Sequence, residues 1–125
     1  MEIIMPSLVL ESCLQGAAES YPREFIGLLS GKKNGDRVQI ERLYLAPLAE
    51  SDETSTSFNP YHVPTGMGIV GSFHSHPAGP ARPSAQDLMM FSSTGSVHLI
   101  AACPFSAKSV AAFDGKGNSA RLEIV

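Results

Sequence analysis

Apolar positions along this chain fall into a helical rhythm near the start and short, strand-like runs thereafter. After a lead-in, Glu2 to Ile4, that suits a short strand, Leu10, Cys13, Leu14, Ala17, Ala18 and Tyr21 recur at helical spacing. Glu11, Gln15 and Glu19 take the solvent side of that helix. Pro6 suits its first turn, where the missing N–H costs no bond, and Pro22 ends it after about Ser20. Gly16 weakens the helix by up to about 1 kcal/mol against Ala but permits close packing. Phe25 to Gly31 is a continuous apolar run, as in a strand buried on both faces. Lys32-Lys33-Asn34-Gly35-Asp36 is a turn with Asn-Gly as its hairpin signal, and Val38, Ile40, Leu43 and Leu45 continue as an antiparallel partner closed by Pro47.

Further on, Ala49 to Ser57 is polar and rich in Ser and Thr, which predicts an exposed loop. Two prolines between Phe58 and Gly66 limit any helix there to a turn or two. A central strand is expected from about Gly68 to His74, and a helix from Ser84 to about Ser92, packed by Leu88, Met89 and Phe91. Val97 to Cys103 is an apolar strand ended by Pro104; Lys108–Phe113 and Ala120–Val125 flank an Asp-Gly-Lys-Gly turn as a final hairpin. The expected fold is a mixed α/β domain over residues 1–125, with a central sheet, one long N-terminal helix and one shorter helix.

Composition narrows the function without choosing it. With 125 residues, 43% apolar and 17% charged, the chain has globular values and enough length for a real core. A net charge of −3 argues against nucleic acid or an anionic membrane as the main partner. No run approaches the roughly 18 apolar residues of a spanning helix. Met1-Glu2-Ile3-Ile4 lacks the basic and apolar parts of a secretion signal, so the expected location is the cytoplasm. Cys13 and Cys103 lie in apolar surroundings and are expected to be buried free thiols; neither has the spacing of a metal ligand.

The chemistry gathers at His74-Ser75-His76-Pro77-Ala78-Gly79-Pro80-Ala81-Arg82-Pro83-Ser84-Ala85-Gln86-Asp87. On a strand, residues i and i+2 leave the same face roughly 6.5–7 Å apart, so both imidazoles can converge on one ion at about 2.0–2.1 Å. Asp87, delivered by the following helix, is a third N/O-type donor, and three such ligands plus water describe a catalytic zinc site. Ser84-x-x-Asp87 is equally a capping box at a helix N-terminus. For Asp87 the two readings compete, since a carboxylate on a metal is less free to cap. Pro77, Pro80 and Pro83 stiffen the seven-residue connector, which makes sense where geometry matters. Glu24, at the mouth of an apolar strand, is of the residue type that takes a proton from attacking water, with partial desolvation raising its pKa. Taken alone, it is an ordinary surface glutamate fifty residues from His74.

His74-x-His76-x7-Ser84-x-x-Asp87 with an upstream glutamate resembles the JAMM motif of MPN+ metalloproteases. Pro22-Arg23-Glu24 through Gly27-Leu28-Leu29-Ser30-Gly31 and Gly71-Ser72-Phe73-His74-Ser75-His76-Pro77 match two separate segments of that family, and the similarity runs from about residue 6 to 113. The resemblance implies a cytidine-deaminase-like (JAB1/MPN) α/β fold. It also implies hydrolysis of isopeptide or peptide bonds at the C-terminus of ubiquitin or a ubiquitin-like protein. Carried over by position, His74, His76 and Asp87 would bind one Zn2+, Glu24 would be the general acid/base, and Ser84 would stabilise the oxyanion. Without the long insertions of eukaryotic relatives, the chain is similar to the short free-standing form. That form acts on small ubiquitin-like modifiers or on sulfur-carrier proteins with a Gly-Gly end. The 49–66 segment is then a candidate wall for the groove that holds the extended tail.

Three rival readings follow. An MPN scaffold without chemistry usually lacks a ligand, whereas every polar position is filled here. A deaminase would need Pro-Cys-x-x-Cys, which Cys103 cannot supply. A peptidase trimming sulfur-carrier precursors shares the mechanism and changes only the substrate. His62 and Arg82 are candidate substrate contacts, with Arg82 equally able to brace its loop. His98, opening an apolar strand, reads as structural. A monomer and a homodimer both fit.

Overall fold

A computed structural model describes residues 1–45, 48–51, 56–58 and 66–125. Nine strands and two α-helices are defined among them: β1 (Glu2–Met5), α1 (Ser7–Ser20), β2 (Ile26–Asn34), β3 (Arg37–Leu45), β4 (Leu48–Ser51), β5 (Thr56–Phe58), β6 (Ile69–His76), α2 (Ala85–Thr94), β7 (Val97–Ala102), β8 (Val110–Asp114) and β9 (Arg121–Ile124). Seven strands form one mixed sheet in the order β8-β7-β6-β2-β3-β1-β9. The site strand β6 lies inside it, antiparallel to β2 and parallel to β7.

The two helices cover opposite faces. Leu10, Cys13 and Ala17 of α1 bury against a core of Ile3, Met5, Leu29, Val38, Ile40, Phe73, Leu99 and Ala101. On the other face Phe91 of α2 packs with Ile100 and Phe113. Strand residues alternate between faces, so Phe73 and Leu99 serve the α1 side while His74 and Ile100 serve the α2 side. Helix α1 has no side-chain cap; the Ser7 N–H donates instead to the Val125 carbonyl at 2.8 Å, which ties its start to the end of the chain. A Cβ at Gly16 would lie 2.5 Å from the Phe25 ring, so the glycine does permit close packing.

Several expectations change. Tyr21 and Ala18 are exposed, because the apolar stripe of α1 is narrower than its periodicity suggested. The β2–β3 turn is centred on Gly35-Asp36, one residue later than Asn-Gly would place it, since Asn34 pairs with Arg37 and Gly35 takes the positive φ of 64°. Part of the segment expected as a loop forms a two-stranded hairpin, β4 with β5. Helix α2 buries Asp87, Phe91 and Thr94, so Phe91 packs as expected, while Leu88 and Met89 face outward and the carboxylate shares the inward side with the aromatic ring. The final strands do not stay paired as a hairpin. Beyond the turn they share the bridge Phe113↔Ser119 and a bond from the Ala120 N–H to the Ala112 carbonyl, and β9 then leaves to run parallel to β1 at the opposite end of the sheet order. Cys13 is buried, which pushes its thiol up to about 12, whereas Cys103 is exposed.

Candidate metal centre

Strand β6 puts Ser72, His74 and His76 on its α2-facing side by simple alternation. His74 is 1% exposed and His76 half-buried. The connector after β6 doubles back, and α2 begins with Ser84 as its N-cap. Here the capping box and the site turn out to be one arrangement. The Asp87 N–H donates to Ser84 Oγ at 3.0 Å and the Ser84 N–H donates to Asp87 Oδ2 at 2.9 Å. That same Oδ2 stands 2.9 Å from His76 Nε2, while Oδ1 is left facing His74 Nδ1 at 3.6 Å. Capping therefore fixes the carboxylate in front of both histidines instead of competing for it.

Glu24 reaches the same place through strand register. Ile26 pairs with His74 and Gly27 with Phe73. Carried two residues outward, that antiparallel register sets Glu24 level with His76. Ser75, whose side chain points to the α1 side, holds the extension together: the Ser75 N–H donates to the Phe25 carbonyl at 2.9 Å and the Phe25 N–H donates to Ser75 Oγ at 2.6 Å. Two sequence segments fifty residues apart are thus clamped together by the serine between the histidines.

The electrostatics follow from this crowding. Burial raises the half-buried Glu24 carboxyl above the ordinary glutamate range, and the Asp87 charge adds to the rise while His76 opposes it. Burial would also raise Asp87, but the His76 hydrogen bond, the Ser84 N–H and the two imidazoles outweigh it and hold the carboxyl at about 2. The bond to Asp87 raises His76 against its own desolvation. Burial pulls His74 down to about 4 despite the attraction of Asp87, so it is neutral at pH 7.

His74 Nδ1 is the buried side-chain nitrogen left without a hydrogen-bond partner among the described residues. A buried polar atom with no partner is costly, and here it faces a carboxylate oxygen. A cation between them satisfies both. Two ligands of a tetrahedral zinc at about 2.0–2.1 Å stand roughly 3.3 Å apart, close to the His74–Asp87 separation. The 2.9 Å His76–Asp87 contact is shorter, a hydrogen-bonded pair. Among the described residues the three side chains are therefore not yet spread into a metal cage. His74, His76 and Asp87 would hold a metal there, with the His76–Asp87 hydrogen bond given up to it. His76 is oriented for this by its Nδ1, which lies 3.0 Å from the Pro80 carbonyl, making Nε2 the nitrogen on the Asp87 side. The donor set fits a catalytic zinc.

Arg82 lies exposed in the connector, with its backbone N–H donating to the Pro80 carbonyl. His62, and with it most of the expected groove wall, falls outside the described residues. Ser72 and His98 were not foreseen as site residues. The available signal was Ser72 two positions before His74 on the same strand face.

An α/β domain with two strand histidines, a capping aspartate and a register-paired glutamate defines a class, and comparison with known proteins identifies it. The family model for prokaryotic homologs of the JAB domain matches residues 6–114. The chain belongs to this family, the JAMM/MPN+ proteins. A probable metalloprotease from Haloferax volcanii is 36% identical over 123 residues, covering 93% of this chain and 75% of the relative. A protein solved in work on JAMM, a metalloprotease-like zinc site in the proteasome and signalosome, matches with a TM-score of 0.76 and 29% identity, covering 100% of this chain and 99% of that one. A JAB1/MPN domain protein from Archaeoglobus fulgidus matches with a TM-score of 0.73 and 34% identity over the same shares of the two chains. The JAB1/MPN fold expected from the motifs is the fold observed. No helix among the described residues is long and apolar enough to cross a membrane.

Proposed function

We propose that this protein is a zinc-dependent peptidase that hydrolyses isopeptide or peptide bonds after the C-terminal Gly-Gly of a small ubiquitin-like modifier. The orphaned, buried His74 Nδ1 opposite Asp87 Oδ1 carries the reading, because it makes sense as a metal ligand and as little else. His74, His76 and Asp87 hold one Zn2+ per chain. Zinc, when bound, is a Lewis acid toward the scissile carbonyl and makes water nucleophilic near neutral pH.

The chain's own residues supply the rest. Glu24, its pKa raised by burial and by Asp87, takes the proton from the attacking water and returns it to the leaving amine. Ser84 accepts from the Asp87 N–H through Oγ, which leaves its hydroxyl proton to donate to the developing oxyanion. An extended Gly-Gly tail, with no side chains to clash, suits a site set at a strand end beside a helix N-terminus. Arg82, exposed between Pro80 and Ser84, is available to a carbonyl or carboxylate of that tail.

Incubation with a linear Gly-Gly fusion and with an isopeptide-linked conjugate tests the reading and separates modifier removal from processing of a sulfur-carrier precursor. Glu24→Ala is expected to lower cleavage by about 100-fold or more, the usual range for losing a positioned acid/base, and Asp87→Ala, which removes a metal ligand, to lower it at least as far. Cleavage by both variants at the wild-type rate would overturn the mechanism. Purification of the wild-type protein without bound zinc after zinc supplementation would favour a scaffold instead.

A further inference from the structure

Behind His74 lies a polar chain that the catalytic reading does not use. Ser72 Oγ is 2.8 Å from His74 Nε2 and 2.7 Å from His98 Nδ1, and His98 Nε2 is 2.9 Å from the Gly95 carbonyl. Ser72, His74 and His98 are each 0–1% exposed, so water does not compete. Ser72 and His98 are register partners on adjacent parallel strands and share one sheet face.

The direction of this chain is determined at its far end. A carbonyl oxygen only accepts, so His98 Nε2 carries the proton and donates to Gly95. In the neutral ring Nδ1 then holds a lone pair and accepts from the Ser72 hydroxyl. With its proton committed, Ser72 Oγ accepts from His74 Nε2–H. The last consequence falls on His74 Nδ1, which is left as a bare lone pair on the Asp87 side. We propose that Ser72 and His98 are positioning residues that lock His74 in the Nε2–H tautomer and so present Nδ1 to the metal. The metal half of this statement rests on the function proposed above; the tautomer half stands on the hydrogen bonds alone.

The surroundings hold His98 itself. Phe91 stacks on its ring at 3.9 Å with planes 5° apart. Gly95 closes α2 with φ of 120°, where a Cβ would come 2.2 Å from the Val70 carbonyl oxygen. The glycine brings its carbonyl under His98 in a backbone conformation other residues rarely adopt. Helix α2 thereby contributes to the site at both ends, Asp87 at its start and the terminal acceptor just beyond its finish.

The test uses the full chain stripped of metal, with nitrogen-15 NMR of the imidazoles and chelator-competition titration of Zn2+. Wild-type His74 is expected to show Nε2 protonated. In His98→Phe the Ser72 hydroxyl loses its acceptor and turns to donate to His74 Nε2, which moves the His74 proton to Nδ1. Ser72→Ala removes the acceptor for Nε2–H with the same result. Both variants are expected to bind zinc about 10- to 100-fold more weakly, the usual cost of losing an outer partner of a ligating histidine. Ser72→Thr keeps the hydroxyl and restores both tautomer and affinity. A wild-type His74 protonated at Nδ1, or zinc affinity unchanged in both disruptive variants, overturns the proposal. Should a disruptive variant fail to fold, the wild-type tautomer and the Ser72→Thr affinity still decide it. A wild type with Nε2 protonated that binds no zinc supports the tautomer lock and sinks the peptidase reading instead.

Discussion

Glu24 is held where a carboxylate is least comfortable: half-buried, beside the charge of Asp87, with only His76 to relieve it. A carboxyl whose folded pKa is raised contributes stability that is full below its unfolded value, about 4.3, and is lost as pH rises through the folded value. Glu24→Gln removes that loss. The variant is expected to unfold at a higher temperature than wild type at pH 7 and at the same temperature near pH 3, both measured after chelation. Its peptidase activity should fall by about 100-fold or more. Greater stability with less activity marks a residue kept for chemistry; a variant less stable at pH 7 would mean that Glu24 braces the strand instead. Asp87 is the opposite case, a carboxylate whose environment welcomes its charge and holds it at about 2 despite burial. Two carboxylates with pKa values pushed apart in one site are assigned different work, one to bind and one to carry a proton.

At the scale of elements, the site is a junction of β2, β6 and α2, and Ser75 is the joint between the first two. Its hydroxyl accepts from the Phe25 N–H and its own N–H donates to the Phe25 carbonyl. Ser75→Ala leaves the ladder bond and removes the side-chain one, so the segment bearing Glu24 loosens while His74, His76 and Asp87 stay in place. Activity is expected to drop about 10-fold with zinc affinity within twofold of wild type; an equal loss in both would mean that the serine supports the ligands rather than the base. This joint also explains what could be read from the chain. Alternation on one strand was visible in His74-x-His76, and Ser84-x-x-Asp87 announced a helix start. The pairing of Glu24 with that strand has no local trace, because register is a tertiary property, and only the family resemblance joined the two. Hydrophobic residue type was a partial guide to α2: of Leu88, Met89 and Phe91, only Phe91 packs against the sheet, and Asp87 shares that inward face with it. The β4–β5 hairpin is built from Ser- and Thr-rich sequence without an apolar alternation to advertise it. The last hairpin signal was real at its turn, but β9 pairs along its length with β1, a contact with no local trace in the sequence.

Across the whole molecule, these elements meet only when the sheet is complete. His74 and His76 are neighbours in any conformation, but Asp87 joins them through the stiff connector and the capped start of α2, and α2 itself is anchored by Phe91 against Ile100 and Phe113. The unfolded chain therefore offers two loosely held imidazoles where the folded one offers three ordered donors. Anything that binds the folded state alone stabilises it by RT ln(1 + [L]/Kd), about 2.7 kcal/mol at a hundred times Kd. For a chain of 125 residues this corresponds to a rise in Tm of roughly 10 °C. Zinc at that excess is expected to produce such a rise in the wild type, and a chelator should reverse it. Asp87→Asn keeps the capping geometry but loses the charged ligand, so less than a third of the shift should remain. Glu24→Ala, which removes the proton carrier and no ligand, should keep the full shift while losing activity. Equal shifts in the wild type and Asp87→Asn would mean that the metal sits elsewhere on the chain. A shift lost in Glu24→Ala would make that glutamate a ligand, leaving the water-activating role to another residue.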